Sequence, residues 1–148
     1  MRVGFFPNMG KENIRDVMKR TAQICRNNGM DVVLPADLRH YYVPNLLDVP
    51  DEFVMPRPEV FKHLDMAFSF GGDGTIIHLA RQIHTYDVPV CGINLGELGF
   101  LNQIELDNLD DRIERIAKGD IRIENRVHLA AEIHSADGNV KKLTPIIN

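Results

Sequence analysis

An α/β fold is what this sequence predicts: an open, mostly parallel sheet flanked by helices, followed by the beginning of an antiparallel β region. Three observations carry that expectation. Short apolar runs alternate with helical patterns over the first hundred residues, the order expected of β–α–β units. One of those runs, residues 66–70, ends in Gly71-Gly72-Asp73-Gly74 and passes at once into a helical pattern. After Asp120 the apolar period shortens to two, with a hairpin turn at Asp137-Gly138. The expected division is an α/β unit over residues 1–102 and the start of a β-rich unit over 103–148.

The elements follow in order. Residues 3–6 read as a first strand, closed by the turn residues Pro7-Asn8-Met9-Gly10. From about 12 to 27, Ile14, Val17, Met18, Thr21, Ile24 and Cys25 recur at helical spacing, with Lys11, Arg15 and Lys19 on the opposite, solvated face. Asn28-Gly29 is a left-handed cap for that helix, and residues 31–34 make a second strand. Between Pro35 and Pro58 the order is lost: five of the eight prolines fall there, so a long irregular excursion is expected, with one short helix over 58–64. The strand, turn and helix around Gly71 come next, with Ile76, Leu79, Ala80 and Ile83 as the helix's inner face. Residues 88–93 form a further strand, its proline near the start, where a strand tolerates one. Residues 106–118 form an amphipathic helix stopped by Gly119. Beyond it Ile121 and Ile123, then Val127, Leu129, Ala131 and Ile133, alternate with polar or small residues, and residues 140–147 return as the partner strand.

Composition narrows the function classes. Apolar residues make up 44% and charged residues 26% of the 148, a soluble globular balance with room for one ordinary core. Apolar runs of four to six residues are too short to cross a membrane. A strand pattern from residue 2 leaves no space for a signal peptide. Cys25 and Cys91 have neither zinc spacing nor a disulfide framework, so a reducing cytoplasm is the expected home. A net charge of −4 leaves no footprint for nucleic acid.

The glycine turn carries the chemistry. A strand, a tight turn and a helix in that order offer free backbone N–H groups to an anion at the electropositive helix start. A carboxylate in the middle of a phosphate cradle would repel its ligand, so Asp73 needs its own reason. It could help hold a divalent cation, or accept a proton from a hydroxyl attacking phosphorus; alternatively it only caps the helix. A second unusual stretch, Asn94-Leu95-Gly96-Glu97-Leu98-Gly99-Phe100-Leu101, follows the next strand. Its glycines and its Asn and Phe read as a ligand-facing loop, with core packing as the alternative for Phe100 and Leu101. Both loops lie at C-terminal strand ends, where open parallel sheets bind ligands.

In Gly71-Gly72-Asp73-Gly74-Thr75 together with residues 94–101, the sequence resembles the NAD kinases. The first motif is shared with diacylglycerol and sphingosine kinases, and a serine-for-threonine relative occurs in phosphofructokinases; the second is much more particular to NAD kinases. The resemblance extends to the opening strand, to residues 124–129 and to the last residues, and is weakest over 35–64. It implies phosphoryl transfer from ATP, with a divalent metal such as Mg or Mn, to the 2′-hydroxyl of the adenosine ribose of NAD. It implies that Asp73 accepts the hydroxyl proton, that Gly72 and Gly74 offer backbone to the nucleotide phosphates, and that Asn94 and Phe100 line the NAD pocket. His78 stands where relatives can carry a basic residue that contacts phosphate. Ile146-Ile147-Asn148 fits the apolar run and first member of the family's Asn-acid pair that grips the ribose, whose second member would be the next residue. The resemblance further implies NAD and ATP as partners, a homo-oligomer for the full-length protein, and a second domain cut short at residue 148, so that the 148 residues alone are expected to be inactive.

Two other readings compete. A lipid kinase of the diacylglycerol type would need a Gly-Thr-Gly-Asn-like run after the next strand, which the sequence lacks. A non-catalytic nucleotide sensor of the same fold is the third. Walker loop, nucleophile elbow, metalloprotease helix and zinc cluster are all missing from the sequence.

Overall fold

In the computed structural model, residues 1–39, 47, 49–96 and 99–147 are described. Five strands, β1 (Arg2–Pro7), β2 (Asp31–Pro35), β3 (Val54–Met55), β4 (Met66–Gly71) and β5 (Val90–Asn94), form one sheet in the order β3-β2-β1-β4-β5. Every pairing in it is parallel. The helices are α1 (Ile14–Asn27), α2 (Arg57–Lys62), α3 (Asp73–Ile83) and α4 (Leu109–Ala117), and β6 (His128–His134) with β7 (Val140–Ile147) makes a separate antiparallel hairpin. The expected fold class is what the structure shows.

A parallel sheet with helices on both faces must bury both sides of its strands, which is why they read as apolar runs. Val3 and Phe5 of β1, Val32 and Leu34 of β2, Met66, Phe68 and Phe70 of β4 and Ile93 of β5 share one core with α1 and α4. The intervening Phe6, Val33 and Ala67 face the other way, onto Val60 and Phe61 of α2 and Leu79 and Ile83 of α3. Phe5, Phe68 and Phe70 are fully buried, with the rings of Phe5 and Phe70 edge-on at 4.8 Å. Truncating one such ring to alanine costs about 3–5 kcal/mol.

The helix ends are written in the sequence. Gly29 (φ 70°) follows Asn28, and the N–H groups of Gly29 and Met30 donate to the carbonyls of Arg26 and Cys25, a left-handed cap as expected. Gly119 (φ 74°) closes α4 in the same way, its N–H and that of Asp120 reaching Ile116 and Arg115.

Four details depart from the sequence reading. Helix α1 begins at Ile14, so Lys11 lies in the β1–α1 loop and not on the helix's solvated face. The proline-rich excursion contains the two-residue strand β3, paired with Leu34 and Pro35, and the short helix starts at Arg57 and ends at Lys62. Strand β5 begins after Pro89, whose carbonyl still accepts the Ala67 N–H at 2.9 Å. Residues 106–108 form a 3₁₀ turn ahead of α4, where Asn108 Oδ1 accepts the Glu105 N–H at 3.1 Å.

Residues 121–127 form no strand despite their alternation. A period of two needs a neighbouring ladder before it becomes β, and Ile121 and Ile123 are 40% and 59% exposed. Leu129 and Ile133 on β6 are also about half exposed.

Topology fixes where loops meet. From β1 the chain builds outward through β2 and β3, then returns to place β4 and β5 on the other side of β1. Helices α1 and α3, which follow β1 and β4, pack on opposite faces of the sheet. The two connections therefore part at the C-terminal ends of β1 and β4, leaving a crevice of the kind in which open α/β sheets bind ligands.

Candidate functional site

Gly71 ends β4 beside β1, and its carbonyl accepts the Leu95 N–H at 3.2 Å. A side chain at Gly71 would overlap Thr75 Oγ1, so the tightness of the turn requires glycine there. Gly72 caps α3 and Asp73 is its first residue. At Gly72 and Gly74 the opposite holds: a Cβ would meet no atom within 4 Å, and neither has a positive φ. Packing within the described chain gives no reason for glycine at these two positions. The open space over the backbone at a helix start is what a phosphate cradle requires.

The Asp73 carboxylate holds the second unusual stretch in place. Its Oδ2 accepts the Phe100 N–H at 2.7 Å, and its Oδ1 accepts the Leu101 N–H at 3.1 Å and the Asn102 side-chain amide at 2.9 Å. The Phe100 N–H above all holds the Asp73 carboxyl below its usual range; burial, next in size, opposes it, and the Leu101 N–H and Asn102 add to the lowering. Its place at the start of α3 also favours the charged form. At neutral pH this group is an anion.

The other expected site residues are placed as follows. Asn94 lies opposite Gly71 in the β4–β5 register and is only 7% exposed; its Oδ1 accepts the Gly96 N–H at 3.1 Å and shapes its own loop. Phe100 is not a core residue: its ring is 98% exposed while its N–H is spent on Asp73. Leu101 is half-buried. His78 lies on the exposed side of α3, its Nε2 2.6 Å from Gln82 Nε2, while Gln82 Oε1 takes a hydrogen bond from Arg57. That network is separate from the Asp73 cluster. Asn148 lies outside the described residues, as do Glu97 and Leu98.

The sequence reading missed the roles of three residues. Gly99 approaches Asp73 so closely that a Cβ would lie 2.6 Å from its Cγ and 2.8 Å from its Oδ2. Asn102, one residue beyond the motif, donates to the carboxylate. Lys11 crosses from the β1–α1 loop to the β5 loop, its Nζ 3.1 Å from where a Gly96 side chain would begin. The signal for Lys11 was its position just after Pro7-Asn8-Met9-Gly10, a loop at a strand's C-terminal end and not a helix.

Neither cysteine competes as a nucleophile, since burial pushes the thiols of Cys25 and Cys91 up to about 12. Among the described residues no group of three or more His, Cys, Asp or Glu is arranged to hold a metal ion. A cavity of about 610 Å³ between α3, β5, α4 and residues 120–128 reaches Leu101 and Gln103 but does not include Asp73.

The family model of the ATP-NAD kinase N-terminal domain matches residues 3–121. This chain belongs to the ATP-NAD kinase family. Among curated relatives, the NAD kinase of Heliobacterium modesticaldum is 34% identical over 135 residues, covering 88% of this chain and 44% of the relative. That of Methanopyrus kandleri is 32% identical over 123 residues, covering 82% and 41%. Yeast NADH kinase, solved in complex with NADH, superposes with a TM-score of 0.72 at 18% identity, over 99% of this chain and 45% of its own. That likeness shows a shared fold. The chain spans less than half the length of these ATP-NAD kinase relatives.

Proposed function

We propose that this chain contributes the phosphoryl-transfer side of a cytoplasmic NAD kinase, which moves the terminal phosphoryl group of ATP to the 2′-hydroxyl of the adenosine ribose of NAD. The observation that carries the reading is an ionised carboxylate, Asp73, fixed between two glycines with open backbone at the mouth of the crevice. The curated relatives named NAD kinase support it, and they do not favour the lipid-kinase alternative.

In this reading Gly72 and Gly74 lend their backbone to the nucleotide phosphates, aided by the start of α3. Lys11, across the crevice at Gly96, adds a positive charge for the same phosphates. The exposed Phe100 ring next to Asp73 offers a face on which an adenine can stack, and Asn94 orders the loop that presents it. His78, further along α3, and Asn148 keep the roles that the family resemblance implies for them, phosphate contact and ribose binding. With no protein cage for a metal among the described residues, a divalent cation would be held chiefly through phosphate oxygens. When bound, such an ion neutralises charge on the transferring phosphoryl group.

Asp73 acts on the acceptor. A carboxylate with a lowered pKa is a weak base, so its first task is to accept a hydrogen bond from the ribose hydroxyl and aim the oxygen at phosphorus. In a largely dissociative transfer little proton movement is needed before the bond forms, and the proton then passes to the carboxylate. Oδ2, with one backbone donor against two on Oδ1, has the freer lone pair for that contact.

The test is a coupled NADP⁺-formation assay on protein expressed from its complete reading frame. Asp73→Asn keeps the size of the side chain but cannot take the proton, and turnover is expected to fall by about 10²–10⁴ with the fold intact. Turnover near the wild-type rate would refute the role of Asp73.

A further inference from the structure

We propose that Asn102 is a positioning residue for Asp73: its side-chain amide, fixed against β5, holds one carboxylate oxygen so that the other stays free to meet the acceptor hydroxyl. The catalytic consequence rests on the function proposed above; the geometry does not.

The amide donates to Asp73 Oδ1 at 2.9 Å, and the Leu101 N–H donates to the same oxygen at 3.1 Å. Two donors converge on Oδ1 while Oδ2 keeps the single Phe100 N–H. That asymmetry fixes the rotation of the carboxylate about its Cβ–Cγ bond. Without the amide, the Phe100 and Leu101 donors sit on adjacent residues of one loop, and the carboxylate is held only as firmly as that loop.

Asn102 is anchored through the residues that follow it. The N–H groups of Gln103 and Ile104 donate to the Gly92 carbonyl at 3.1 and 3.0 Å, and the Gly92 N–H donates to Gln103 Oε1 at 3.0 Å. The chain just after Asn102 is thus laced to strand β5. Gly92 also makes room: a Cβ there would lie 2.6 Å from Asn102 Oδ1 and 3.1 Å from its Cα. A residue whose neighbours are tied to a strand by hydrogen bonds holds a functional group in a fixed place.

Asn102 Oδ1 is buried and has no hydrogen-bond partner. An unpaired buried acceptor is unfavourable, and a residue whose only task was to fill space would be apolar and avoid it. The amide is retained for its other end, the N–H₂ on Asp73. A neutral donor does here what a lysine or arginine would not. It orients the carboxylate without pairing its charge, so the full negative charge remains for the hydroxyl proton.

Two variants, in protein from the complete reading frame, test this. Asn102→Asp keeps the shape and replaces the donor with an acceptor; Asn102→Ala removes the donor. Each is followed by steady-state kinetics against pH and by ¹³C-carboxyl NMR titration of Asp73, assigned with Asp73→Asn. In both variants kcat is expected to fall about 10–100-fold, the range seen when an orienting partner is lost, with KM for NAD changed by less than about threefold. The Asp73 titration and the acid limb of kcat should move to higher pH, further in Asn102→Asp, where two carboxylates share the site and titrate as a pair. An Asp73 titration and a kcat profile that superimpose on wild type in the isosteric Asn102→Asp protein would overturn the proposal. Should Asp73→Asn itself stay active, the acceptor role of Asp73 falls, and the NMR shift in the Asn102 variants still decides whether Asn102 positions the carboxylate.

Discussion

Gly99→Ala should damage this protein through a residue 26 positions away in sequence, Asp73. Its φ is not in the left-handed region, so the backbone tolerates alanine. The added methyl would overlap Asp73 Oδ1 and lie 2.6 Å from Cγ, closer than any real Cβ contact, and the atoms in the way belong to a side chain held by three hydrogen bonds. Either the carboxylate swings out and loses those bonds, or the 99–102 loop lifts away from α3. A hydrogen bond to a charged group contributes about 1.5–3 kcal/mol, but Asp73 is half-exposed and water replaces much of what is lost. Overpacking by one methyl typically costs about 1–3 kcal/mol, and we expect a loss in that range. A double-mutant cycle in urea denaturation assigns the cause. If the clash runs through the carboxylate, Gly99→Ala in an Asp73→Ala background should cost less than about 0.5 kcal/mol, leaving a coupling energy of 1 kcal/mol or more. Strictly additive losses would refute the reasoning and place the effect in the loop backbone alone.

Gly72→Val should behave in the reverse manner: with open space and φ −99° at that residue, the denaturation midpoint stays within error while NAD or ATP affinity in calorimetry collapses; unchanged affinity would make the turn purely structural. Lys11→Met should raise KM for ATP about tenfold, the loss of one phosphate contact worth roughly 1.4 kcal/mol, with little effect on kcat at saturation; an unchanged KM would return Lys11 to the solvated surface. Because Asp73 has a lowered folded-state pKa, its stabilising contribution is fully present above its unfolded value near 3.9 and is lost as pH falls through the folded value. Wild type should therefore lose its stability advantage over Asp73→Asn progressively as pH falls below about 3.9, and an advantage that stays constant on acidification would contradict the hydrogen-bond assignment.

The strands and long helices were legible because burial on both sheet faces and one-sided burial on helices leave periodic traces. The alternation of Val3, Phe5 and Phe6 between two cores and the caps at Gly29 and Gly119 needed no tertiary information. Strand β3 was not legible: two residues, Val54 and Met55, are too few to show a period, and they become a strand only because Leu34 and Pro35 offer a ladder. Residues 121–127 fail in the opposite sense, since alternation was present and no ladder holds them. At the site, the sequence pointed to Asp73 and to the loop ending at Leu101. It could not show that the two are joined, because the contact between them spans 27 to 29 positions and uses backbone N–H groups that every residue carries.

The glycines of the two motifs divide by what each leaves out. Gly71 and Gly99 are small because this chain's own atoms, Thr75 Oγ1 and the Asp73 carboxylate, occupy the volume a side chain would take. Gly72 and Gly74 are small although nothing in the described chain occupies theirs. The first pair draws the two loops together, and the second keeps the outer surface of the joined loops bare. Helix capping accounts for none of this: Gly72 stands at the N-cap of α3, and no side chain, that of Asp73 included, makes a capping hydrogen bond there. A helix start permits many side chains at the two positions that stand open, and a cap has no need to reach 27 residues forward to collect two backbone donors and an amide. The open pair makes sense once a ligand comes to the backbone, and the filled pair makes sense once the carboxylate must be held still while it does.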